Sequence, residues 1–106
     1  MQAVATGLNI FLEFVSWVKK INLTVEYVKE DDGSISGRIV EFCTLSNAPT
    51  LEECEAKLIA DMRESAELFA DNFEQFSAGR PNEVLYVLKI LYSTDEELRK
   101  CLRGKN

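Results

Sequence analysis

Apolar and polar residues alternate one by one from Ile21, with Ile21, Leu23, Val25 and Tyr27 set against Asn22, Thr24 and Glu26. That period of two predicts a half-buried antiparallel strand over 21–28. Upstream the period is longer. Phe11, Phe14, Val15 and Val18 fall at helical spacing, widened by Ile10, Trp17 and Ile21, while Glu13, Lys19 and Lys20 lie away from the stripe. Residues 8–20 therefore read as a helix, with a strand left open by their aromatic and β-branched content. Its apolar side needs a cover, from its own sheet, from a second copy, or from a membrane surface engaged through Trp17 and Lys19-Lys20.

Downstream of the first strand, Glu30-Asp-Asp-Gly33 supplies the positive φ of a hairpin turn. A second strand is expected from Ser34 to Phe42, with Gly37 marking a bulge or the close approach of another backbone. A short third strand is expected over 43–48. Thr50, with Glu53 three residues on, then forms a capping box. The helix it opens carries Leu51, Cys54, Leu58, Met62, Phe69, Phe73 and Phe76 at steps of mostly three and four, and stops at Gly79-Arg-Pro81, where glycine allows a left-handed cap. Leu58, Met62 and Phe69 are its expected contacts with the sheet. At 1.5 Å per residue such a helix would span ~39 Å, so it either overhangs the sheet or breaks near Asp71-Asn72.

Residues 83–92 read as a fourth strand, apolar on both faces through Val84, Tyr86, Leu88 and Ile90 on one and Leu85, Val87 and Leu91 on the other. Burial on both sides would follow, by helices or by a partner chain. Thr94-Asp-Glu-Glu97 repeats the capping box ahead of a terminal helix through Leu98, Cys101 and Leu102, whose basic residues Arg99, Lys100, Arg103 and Lys105 complement the helix dipole. The expected fold class is α+β. It is an antiparallel-rich β-β-β-α-β unit with one long acidic helix packed on the sheet, and helical extensions at both ends. At 106 residues the chain is expected to be one domain, divided into an extension over 1–20, a core over 21–92 and a tail over 93–106.

Charge adds what periodicity cannot. Residues 50–75 hold eight acids against Lys57 and Arg63, which accounts for the whole net charge of −6. A single-sign face repels phosphate backbones and attracts a basic protein, so nucleic-acid binding by this chain is not expected. Glu52, Glu53, Glu55, Asp61, Glu64 and Glu67 are the candidate partner-binding residues, and a plain solvated helix face is the alternative. The chain has no histidine, the usual general base and the commonest metal ligand. Its three cysteines, Cys43, Cys54 and Cys101, form no Cys-x-x-Cys pair. No metal, cofactor or disulfide framework is expected, and reduced thiols in a cytoplasmic protein are. The apolar run over 8–18 is too short for a membrane span and lacks a signal peptide's charged start.

The segments Glu30-Asp-Asp-Gly33 and Ala48-Pro-Thr-Leu-Glu-Glu-Cys54, in the order hairpin, third strand, capped acidic helix and fourth strand, resemble the HicB-like antitoxin family across 21–92. The family's Pro-Gly-Cys loop is missing over 42–45, and Ala48-Pro49 stands where the family has Gly-Asp. The resemblance implies a partial ribonuclease-H-like unit without nuclease activity, whose role is to bind and neutralise a small basic RNA-cleaving toxin. It also implies a DNA-binding tail in many relatives, for which about 14 residues after the fourth strand leave too little chain.

Two other functions compete. One is a stand-alone domain whose partner is another copy of itself, supported by the two-sided apolar segment 83–92 and the aromatic N-terminal stripe, and a homo-oligomer is expected on that ground. The other is an enzyme using Asp31, Asp32 and Glu41 as metal-binding carboxylates. Two of these are turn residues expected at a hairpin for conformational reasons, and no enzymatic activity is expected.

Overall fold

The computed structural model describes residues 2–42 and 44–103. Cys43 and Lys105 lie outside them. The first helix, α1, runs Gln2–Lys19, so its helical spacing prevails over its β-branched content. Strand β1 (Val25–Lys29) is shorter than the alternation suggests, because only these residues find ladder partners. Strand β2 (Ile35–Ile39) follows the Asp-Gly turn, in which Gly33 has φ +88°. Strand β3 (Thr44–Ala48) completes an antiparallel sheet of order β1-β2-β3, with Tyr27, Gly37 and Ser46 in one row across it.

Gly37 departs from expectation. The ladder runs through it without a bulge, and its close neighbours are side chains. A Cβ there would lie 2.8 Å from Leu58 Cδ1, 2.9 Å from Cys54 Sγ and 3.0 Å from Tyr27 Cε1. The missing side chain lets the long helix settle onto the middle of the sheet.

That helix, α2 (Leu51–Asp71), starts where Thr50 Oγ1 accepts a hydrogen bond from the Glu53 amide at 3.2 Å. It buries Cys54, Leu58, Ile59, Met62, Ala66 and Phe69, placing Leu58, Met62 and Phe69 in the core as their spacing requires. The break near Asp71-Asn72 is present: Asn72 donates its side-chain amide to Leu68 O at 3.0 Å, and the chain re-enters a short helix, α3 (Phe73–Gly79). Gly79 is not a left-handed cap. Gly33 is the one glycine with positive φ among the described residues, and the residue closing α3 is Arg80, at φ −138°.

The largest correction concerns 83–92. After a single turn of 3₁₀ helix (Pro81–Glu83), Val84–Tyr92 form a helix, α4, and no fourth strand exists among the described residues. The same letters fit a period of 3.6, with Val87 and Ile90 buried against α2 and α1. Proline in the first turn is a helix-start signal that the two-sided apolar pattern masks. The sheet consequently has one covered face and one open face, which exposes Val28 and Leu45 and carries the Glu26–Arg38 ion pair across registered positions. The terminal helix α5 (Asp95–Arg103) begins at a complete capping box: Thr94 N donates to Glu97 Oε1 at 2.9 Å and Glu97 N donates to Thr94 Oγ1 at 3.1 Å. The architecture is α+β, a three-stranded antiparallel sheet covered on one face by α2, with α4 and α5 behind α2.

Candidate functional site

The acidic residues of α2 do not act as one group. Glu55 is buried, with only 5% of its side chain exposed, and Arg99 of α5 approaches its carboxylate to 3.4 Å. Asp61 is half-buried and accepts a 2.8 Å hydrogen bond from Ser46 Oγ on β3. These two carboxylates fasten α2 to its neighbours. Glu52, Glu53, Glu64 and Glu67 are exposed. Glu53, Glu64, Glu67 and the further exposed acid Asp71 recur at helical intervals on the side of α2 opposite its buried stripe. The candidate partner-binding set is thereby divided into four outward residues and two internal ones.

Beside this stripe the junction of α2, α3 and α4 leaves an apolar groove of about 290 Å³, lined by Phe69, Ala70, Phe73, Val84, Val87, Leu88 and Leu91. A second, larger hollow of about 600 Å³ lies between β3 and the α2–α3 bend, with Leu45, Asp61, Leu68 and Phe76 on its walls. At its rim Arg80 stacks over the Phe76 ring at 4.8 Å and pairs with Glu83 at 3.3 Å. The combination is an acidic helix face adjoining an apolar notch. It suits a protein partner that presents cations around an apolar anchor.

The carboxylates considered for metal chemistry are engaged locally. Asp32 accepts hydrogen bonds from Ser34 Oγ at 2.6 Å and Ser34 N at 2.9 Å, and these hold its carboxyl below the ordinary aspartate range. Glu41 accepts from Thr24 N at 2.6 Å, and Asp31 is exposed in the hairpin turn. Among the described residues no group of three or more histidine, cysteine, aspartate or glutamate side chains is placed to hold a metal. Cys54 is wholly buried, and desolvation pushes its thiol up, partly opposed by Lys57.

Two cations escape a pattern-based reading. Lys89, on the apolar helix α4, is only 4% exposed, and its Nζ donates to Lys19 O at 2.5 Å, at the end of α1. Arg63, one of two bases in the acidic segment, donates Nη1 to Ile90 O at 2.8 Å, Nη2 to Ser93 O at 2.6 Å and Nε to Asp95 Oδ1 at 2.6 Å. Both sit where helix carbonyls run out of partners. Their only sequence signal is a lone base on an otherwise apolar or acidic face.

Helix α1 is largely uncovered. Leu8, Ile10, Phe11, Leu12, Phe14 and Trp17 are each between 38% and 61% exposed, whereas Val18 is fully buried. No helix among the described residues is long and apolar enough to cross a membrane.

An α+β module with a one-sided three-stranded antiparallel sheet and an acidic helix spanning it is the class these observations define. Among solved structures the chain is similar to the antitoxin part of a candidate toxin/antitoxin system from Syntrophomonas wolfei subsp. wolfei, with a TM-score of 0.76, 26% identity, and coverage of 86% of this chain and 67% of that one. The fold is thus antitoxin-like. No protein-family model matches the sequence, and no curated protein does.

Proposed function

We propose that this chain is a non-catalytic, HicB-like antitoxin relative that binds and neutralises a small basic RNA-cleaving toxin. The observation that carries the reading is the structural likeness to an antitoxin across most of the chain. The outward stripe Glu53, Glu64, Glu67 and Asp71 supports it, since a concentrated negative face steers a cationic partner into place. The groove between Phe73 and Leu91 adds an apolar seat beside that stripe. Partner binding by this face needs no cofactor and no metal.

The test is capture of the tagged full chain from its native cells, followed by an RNA-cleavage assay on what it retains. A small basic protein in stoichiometric amount, whose cleavage of RNA stops when an equimolar amount of this chain is added, is the expected result. Capture of nothing but the chain itself, or of a basic protein that cleaves RNA equally well with the chain bound, overturns the reading.

A further inference from the structure

We propose that the free edge of β3 and the hollow beside it receive an extended segment of a partner protein, one that carries a basic and an apolar side chain two positions apart. The argument begins with the ladder. Glu30 N donates to Ser34 O and Val40 N donates to Thr24 O, each across directly opposed positions, so the even-numbered residues of β2 direct their backbone groups to β1 and the odd-numbered ones face β3. The register then turns Thr44, Ser46 and Ala48 toward β2 and leaves the amides and carbonyls of Leu45 and Asn47 pointing away from the sheet. Of these, Asn47 O accepts from Lys57 Nζ at 3.0 Å. Leu45 N, Leu45 O and Asn47 N have no partner in the ladder, and Leu45 is 70% exposed. Such a row is a template for one more strand. The other edge is guarded by Glu26 and Lys29 of β1, whereas Thr44–Ala48 holds no charged residue.

A strand added at the usual spacing of about 4.8 Å would roof the hollow between β3 and the α2–α3 bend. Its side chains opposite Thr44 and Ser46 would point into that hollow, because Thr44 is buried on the α2 side of the sheet and Ser46 bonds Asp61 there. What each would meet follows from the course of α2. Lys57 reaches Asn47 and Asp61 reaches Ser46, so the helix runs back along the strand and its following turns bring Ser65, Leu68 and Phe69 beside Thr44 and Phe42. The side chain opposite Ser46 therefore lies by the Asp61 carboxylate, and the one opposite Thr44 lies by Leu68, Phe69 and Phe76. Leu68 is 54% exposed and Phe76 half-buried, so an apolar group at the second place removes from water a surface that the described residues leave open.

Charge selects a cation for the first place. The lining holds Glu41, Asp61 and Glu83 against Arg80, and Arg80 is paired with Glu83 at 3.3 Å. An ammonium or guanidinium beside Asp61 restores the balance. A second copy of this chain does not, since its net charge is −6 and its own β3 has no base to offer. The surface is separate from the outward stripe of α2, and the proposal holds whether or not the partner cleaves RNA.

Panning a phage-displayed library of random short peptides against the full chain tests it, followed by amide exchange measured by nuclear magnetic resonance with a capped synthetic copy of the recovered sequence. Lysine or arginine two positions from an aliphatic or aromatic residue is the expected pattern. At about ten times its Kd the peptide should slow exchange of the Leu45 and Asn47 amides about tenfold, with the outward Lys29 amide at the far edge unchanged. Methylating the peptide nitrogens one at a time should weaken binding about tenfold at the position that faces Leu45 O and little at its neighbours. Asp61→Asn keeps an acceptor for Ser46 Oγ and should lower affinity for the basic peptide about tenfold at low salt, while an analogue with glutamine in place of the base binds both chains alike. Recovery of no peptide overturns the proposal, as does a peptide that binds without slowing the Leu45 and Asn47 amides. Slow exchange of those two amides in the free chain overturns it too, and protection that deepens with protein concentration would assign the edge to a second copy. Binding indifferent to Asp61→Asn overturns the place given to the cation.

Discussion

Removing the Arg63 guanidinium would strip two carbonyls, Ile90 O and Ser93 O, of their donor at the corner between α4 and α5. Leaving buried acceptors unsatisfied costs more than the net value of the bonds themselves, so Arg63→Ala is expected to destabilise by about 2–3 kcal/mol in urea unfolding. Arg63→Lys should recover less than half of this, because an ammonium cannot reproduce the three-way fork. A lysine variant as stable as the natural protein would show that charge alone matters there. At Gly37 the constraint is space. Gly37→Ala sets a methyl within 3.0 Å of three side chains and should cost about 1–3 kcal/mol. Trimming its neighbour by Leu58→Ala should cost about 2–5 kcal/mol alone, since Leu58 is fully buried. The two losses combined should total less than their sum, because the second change makes room for the first. Strict additivity would mean that Leu58 moves aside freely.

At the scale of elements, what the sequence makes legible depends on whether the signal is local. The caps at Thr50 and Thr94, the Asp-Gly turn and the break at Asn72 are set by residues within four positions of one another, and each stands where the letters place it. Residues 83–92 differ. Their apolar positions satisfy periods of both 2 and 3.6, and β-branched Val84, Val87 and Ile90 tilt the balance toward a strand. The outcome is decided by packing against α1 and α2, which are distant in sequence. The acidic set on α2 was legible as composition but not as surface, because burial of Glu55 depends on Arg99, 44 positions away. Capping makes a prediction with a sign. The Thr94 amide bond, and after it Lys19, hold the Glu97 carboxyl below its ordinary value of 4.5, so the folded state favours the charged form. The stabilisation is therefore complete above about pH 4.5 and is lost as pH falls through the lower folded value. Glu97→Gln should increase amide exchange in the first turn of α5 at pH 6, and the difference from the natural chain should vanish at pH 2–3. A difference that persists in acid would assign the effect to packing.

At the scale of the whole molecule, the net charge of −6 and its concentration on the outer side of α2 govern encounter more than fold. Glu53, Glu64, Glu67 and Asp71 are exposed and lie outside the buried stripe of α2, so reversing two of them leaves that stripe untouched. Folding stability of the double variant Glu64→Lys/Glu67→Lys should accordingly stay within about 0.5 kcal/mol of the natural chain. Its effect belongs to association. A cationic protein partner drawn in by this stripe should bind the variant with an association rate at least tenfold lower at low salt, with dissociation little changed. The gap should close as ionic strength rises past ~0.15 M, where the screening length falls to about 8 Å. The same field opposes polyanions, so the natural chain is expected to bind duplex DNA no better than about 10⁻⁴ M at ~150 mM salt, measured by fluorescence anisotropy. Charge reversal should strengthen that weak association while it weakens the protein partner's. Two shifts in one direction would mean that the stripe does not set the sign of what this molecule attracts.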